Sequence, residues 1–129
     1  MKLAKISFAD KWIHNKYDPD IWIISSTAYQ YELIVPNTDG KPNSNAIDYL
    51  VEILENIEQI EADSQKYIKI HLLIQSGFSL EGIEILSNPD RNNSTALLHF
   101  RCDEDSGLFV EIGLCEFRQH HLLIHYWIV

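Results

Sequence analysis

TALLHFRC (95–102), LFVEIGLCEF (108–117) and HLLIHYWIV (121–129) are three apolar runs rich in β-branched and aromatic residues, separated by DEDSG and RQH. Short polar turns between such runs predict successive antiparallel strands. With Gly107 closing a three-residue loop, Phe100 pairs with Ile112 and Leu98 with Leu114, so the apolar sets share one face. A second three-residue turn, Arg118-Gln119-His120, sets Ile112 against Tyr126 and Leu114 against Ile124. A two-residue turn there would slip the pattern by one and bury His125.

Working upstream, GIEILS (82–87) reads as a strand and NPDRNNS (88–94) as a turn cluster. IWIISS (21–26) and YQYELIV (29–35) read as strands, and PNTDGKPNSN (36–45) as the loop after them. In AIDYLVEILENIEQIE (46–61) the apolar residues recur at helical spacing, with Ser44 or Asn45 as the expected cap. KYIKIHLLIQSGF (66–78) alternates like a strand, but Ser64 and Gly77 bracket it like a helix, and helix is the reading adopted. The expected fold is α+β: one domain over residues 1–129, an antiparallel sheet with a C-terminal three- to four-stranded meander, and one or two helices packed on it.

Charge is unevenly spread. The 129 residues carry a formal net charge of −9. Residues 1–16 contribute +3, residues 17–65 contribute −9 and residues 66–129 contribute −3. A nucleic-acid binder needs cations along its phosphate-facing surface, and no such stripe is present. Opposite fields speed and orient encounter, so a basic partner fits this chain better. Acidic surface also keeps proteins soluble in its own right. The N-terminal stretch lacks a signal-like apolar region, and no apolar run approaches the roughly 20 residues of a spanning helix. With only Cys102 and Cys115, a reduced, cytoplasmic setting without membrane contact is expected.

The second face of the C-terminal strands holds the candidate chemistry. In the register above, His99, Gly113 and His125 form one row and Arg101, Glu111 and Trp127 the next. His121 and His125 stand about 13 Å apart along one strand, too far to act as adjacent metal ligands. His99 and His125, about 9.5 Å apart across two strands, lack an evident third ligand, and zinc sites take three or four. No metal and no cofactor are expected. His99, Arg101, Glu111 and His125 could instead serve as a metal-independent hydrolytic cluster, with the histidines as general acid and base near neutral pH. No nucleophile motif or phosphate loop accompanies them, and an acidic nuclease would repel its own substrate.

A third candidate is a binding surface. Leu97, Phe109, Cys115, Phe117, Leu123 and Trp127 are many apolar residues for a sheet face left in water, and aromatics beside arginine resemble an interface hot spot. On the helix, Asp48, Glu52 and Glu55 lie opposite the apolar arc. Glu58 and Glu61 fall in its later turns, where acids oppose the helix dipole, and Asp63 follows. The turn acids Asp103, Glu104 and Asp105 add to this surface.

A small, acidic, cysteine-poor α+β domain without a catalytic motif resembles the immunity proteins of bacterial polymorphic-toxin systems, including contact-dependent growth inhibition. The resemblance is of type, over the whole chain, and rests on no motif. It implies a cytoplasmic complex with one cognate toxin domain, often a basic nuclease, whose active site is occluded. Residues suited to that role here are Asp48, Glu52, Glu55, Glu58, Glu61, Asp63, Asp103, Glu104, Asp105 and Trp127. A non-catalytic homodimeric module built on the aromatic face is a further possibility.

Overall fold

The computed structural model describes residues 12–14, 17–25, 32–72, 77–90, 94–105, 107–115 and 121–128, of which 24–25, 89–90, 115 and 121–128 are described by backbone alone. Among the described residues eight strands and two helices follow one another as β1 (Ile13–His14), β2 (Ile21–Ser25), β3 (Glu32–Thr38), β4 (Lys41–Pro42), α1 (Ser44–Glu55), α2 (Ile57–Leu72), β5 (Phe78–Asp90), β6 (Ser94–Cys102), β7 (Leu108–Cys115) and β8 (His121–Ile128). The main sheet has the order β1-β2-β3-β5-β6-β7-β8, with β4 paired to β3 beside it. All pairs are antiparallel except β3 and β5, which run parallel because both helices intervene. The architecture is α+β, and β5 to β8 form the expected C-terminal meander.

The segment expected as a loop, 36–45, is more ordered than its composition implies. Strand β3 runs on through Pro36 to Thr38 and turns back at Asp39-Gly40 into β4, with Thr38 opposite Lys41. Both turn residues have positive φ, 54° and 78°, the backbone of a type I′ turn and the reason for the Asp-Gly pair. The hairpin delivers the cap of α1. Asn43, not Ser44 or Asn45, is the N-cap: its Oδ1 accepts from the Ala46 N–H at 2.8 Å, and its Nδ2 donates to Thr38 Oγ1 at 2.9 Å.

The expected single helix 46–61 is two. It stops at Asn56, whose Nδ2 donates to the Glu52 carbonyl at 2.9 Å, and restarts at Ile57. This changes the electrostatics of the acids beyond it. Glu58 sits in the first turn of α2, where an anion is favoured by the dipole, and Lys69 and His71 occupy its last turn. Helix α2 extends to Leu72, so the helical reading of residues 66–72 holds; residues 73–76 lie outside the described residues.

The core lies on one sheet face. Leu33, Ile83, Leu98, Phe100, Val110 and Ile112 are fully buried there against Leu50, Ile53, Ile60 and Ile68 of the helices. In β5 the apolar residues change phase: Phe78 and Leu80 are even-numbered, Ile83 and Ile85 odd. The ladder to β6 absorbs this by a bulge, with Leu80 opposite Phe100 and Gly82 opposite His99, leaving Glu81 unpaired in the register. Both apolar pairs then face the core, and Gly82 and Glu84 share the opposite face with His99.

The meander registers differ from expectation by two residues. Phe100 pairs with Val110 and Leu98 with Ile112; across the next ladder Ile112 pairs with Ile124 and Leu114 with Leu122. A shift of two keeps every side chain on its face, so the buried set is as expected while cross-strand neighbours change. The β6–β7 turn is therefore five residues, 103–107, and has its own bonds. The Asp103 N–H donates to the Gly77 carbonyl at 2.9 Å, Ser79 Oγ donates to Asp103 Oδ1, and Asp105 Oδ1 accepts from the Gly107 N–H at 3.0 Å. A three-residue loop would draw Asp103 into the ladder and out of these contacts.

Candidate functional site

On the face away from the helices, the registers align Glu32, Gly82, His99, Glu111 and His125 in one row across β3, β5, β6, β7 and β8. Glu111, not Gly113, therefore stands between the two histidine positions. Arg101 is not opposite Glu111: it pairs across the ladder with Phe109, and its guanidinium lies 4.9 Å from the Phe109 ring centroid. The same guanidinium forms its ion pair with Glu81, the residue the bulge leaves over.

His99 is the centre of the row. Its Nε2 lies 3.1 Å from Glu84 Oε1 and its Nδ1 lies 3.2 Å from Glu111 Oε2. A neutral imidazole has one N–H and can satisfy one carboxylate; only the imidazolium donates to both. Burial, the largest single influence, disfavours that cation. The hydrogen bond with Glu84 and the charges of Glu111, Glu84 and Glu32 outweigh it and raise the pKa above the ordinary 6.5. Gly82 leaves room for the arrangement: a Cβ there would already lie 3.6 Å from His99 Cδ2, so a side chain larger than alanine's would contend with the ring for space.

The four residues of the hydrolytic candidate are thus partly brought together. His99 and Glu111 are in contact, Arg101 is engaged elsewhere, and His125 is in register with Glu111 while its side chain lies outside the described residues. In its imidazolium form His99 donates to both carboxylates and has no lone pair with which to take up a proton. Among the described residues no three His, Cys, Asp or Glu side chains are grouped to hold a metal ion.

The binding candidates divide. Asp48, Glu52 and Glu55 are exposed along one side of α1, and Glu58 is exposed at the start of α2. Glu61 and Asp63 are half-buried, and Asp63 accepts from Gln59 Nε2 at 2.9 Å. Asp103, Glu104 and Asp105 are exposed in the β6–β7 turn, with Asp103 tied to Ser79 of β5 and Asp105 bonded within the turn. Trp127 is in register with Phe109; its side chain lies outside the described residues. Of the second-face apolar set, Leu97 is buried and Phe109 half-buried.

Reading the strands alone misses Glu32, Glu81, Gly82 and Glu84. The signal for the last three is present in FSLEGIEIL (78–86), where the apolar phase slips by one residue at Glu81-Gly82. No protein-family model, curated protein or solved structure matches this chain. No helix among the described residues is long and apolar enough to cross a membrane.

Proposed function

We propose that the chain is an immunity-type inhibitor that binds a cognate basic toxin domain, of nuclease character, in the cytoplasm and occludes its active site. The observation that carries this reading is the exposed acidic row Asp48, Glu52 and Glu55 on α1, continued by Glu58 on α2. It lies in a stretch, 42–65, without a single lysine or arginine. A surface of one sign on a rigid helix accelerates encounter with a basic partner and fixes its orientation. The engagement of both His99 nitrogens supports a binding role over an acid–base one.

The experiment is a protection test. The C-terminal domain of the neighbouring upstream gene product is expressed in a laboratory bacterium with and without this chain, and growth is followed. Arrest alone with recovery on co-expression supports the proposal; a neighbour that kills regardless, or that is harmless alone, removes it.

A further inference from the structure

We infer that His99 is a charge-operated clip, which as an imidazolium ties β5 to β7 across the intervening β6 and on losing its proton lets that tie go. The inference rests on the geometry of the ring and is independent of the proposed function. Strands β5 and β7 are not neighbours; each pairs with β6. The His99 ring reaches both, through Nε2 to Glu84 and Nδ1 to Glu111 at 3.1 and 3.2 Å. Such a bridge has two states and no useful intermediate. With both nitrogens protonated, each carboxylate receives a charge-assisted hydrogen bond. With one proton gone, a ring lone pair faces a carboxylate oxygen, and the cation that screened Glu84 from Glu111 is lost.

The charged groups facing the ring come from several strands. Glu84 stands on β5, Glu111 on β7 and Glu32 on β3; Arg101, two residues along β6, is instead paired with Glu81 of the bulge. On β8 the position in register beyond Glu111 is His125. The carboxylates raise the folded-state pKa of His99 above 6.5. A raised histidine pKa contributes stability that is fully present below the unfolded value of about 6.5. That contribution fades as pH climbs through the folded value, so the clip is closed in mildly acidic solution and opens on the alkaline side of 6.5.

The test is a pH titration of the ring nitrogens by NMR on protein labelled with ¹⁵N-histidine, with His99 assigned through His99→Gln. The expected result is that His99 carries protons on both nitrogens at pH 6 and titrates with a midpoint above 6.5. Its midpoint is expected to move down in Glu84→Gln and again in Glu111→Gln. In parallel, the loss of stability caused by His99→Gln in urea is expected to be larger at pH 6 than at pH 9. A His99 midpoint at or below 6.5, a midpoint that moves in only one or neither of the two glutamine variants, or a His99→Gln loss equal at the two pH values overturns the clip. Should His99→Gln fail to fold, the glutamate variants assign the resonance by their shifts and decide the matter alone.

Discussion

Glu111 stands directly opposite His99 across the β6–β7 ladder, with its Oε2 3.2 Å from His99 Nδ1. The more exposed pair on the same face, Arg101 and Glu81, has side chains 46% and 38% accessible, against 30% and 16% for His99 and Glu111. Water screens an exposed pair to about 0–1 kcal/mol, whereas a hydrogen bond to a charged group away from solvent contributes roughly 1.5–3 kcal/mol. Double-mutant cycles with glutamine at 99 and 111, and with methionine and glutamine at 101 and 81, measured by urea unfolding at pH 6, should give the larger coupling for His99–Glu111. Equal couplings would show that the difference in exposure does not matter here.

Under the proposed function, reversing Glu52, Glu55 and Glu58 together to lysine should abolish binding to the proposed basic toxin domain while leaving the fold intact, since all three are exposed. Glu58→Lys gives up a favourable first-turn charge, a loss of about 0.3–1 kcal/mol. For the unaltered chain, affinity should fall as salt is raised, because surface charges are screened. Calorimetric titration of both proteins checks this; unchanged binding by the triple variant would take the acidic helix out of the interface.

Phe100 is fully buried between sheet and helices. Truncating it to alanine should cost about 3–5 kcal/mol, the loss of transfer free energy plus the cavity left behind. A urea midpoint shift worth less than about 1 kcal/mol would mean that the core closes over the gap.

The Asp39-Gly40 turn and the Asn43 cap can be tested separately. Gly40 has φ of +78° and nothing within 4 Å of where a Cβ would sit, so Gly40→Ala should cost about 1–2 kcal/mol from backbone conformation alone. Asn43→Ala, which removes the acceptor for the Ala46 N–H, should cost about 1 kcal/mol, and Asn43→Asp should restore most of it. Thermal melts of the three variants give the comparison.

Ser64 is fully buried in α2, and its hydroxyl has no hydrogen-bond partner among the described residues. Ser64→Ala removes a desolvated polar group and improves helix propensity. It should therefore be neutral or stabilising by up to about 1 kcal/mol, and a lower melting temperature would point to a partner for the hydroxyl.

What the sequence determined by itself was the local part of this protein. The alternation of Leu98, Phe100, Val110, Ile112 and Leu114 assigned these residues to the core face, because side-chain direction in a strand follows from period two without reference to any neighbour. The apolar arc of 46–61 located a helix, and the acids at 48, 52 and 55 fell on its solvent side for the same reason. Even the bulge was written into FSLEGIEIL as a change of phase.

Tertiary structure decided which residues meet. Period two cannot distinguish registers that differ by two, and the choice came from Asp103, held by Gly77 and Ser79 some two dozen positions earlier in the chain. The helix break at Asn56 and the parallel pairing of β3 with β5 likewise answer to packing of the helix pair on the sheet. The partners of His99 follow from those decisions: moving each ladder by two residues replaced Gly113 with Glu111, and the bulge brought Glu84 to the other nitrogen. A histidine's surroundings, and so its charge, are set by strands distant in sequence, and they exist only once the sheet is assembled.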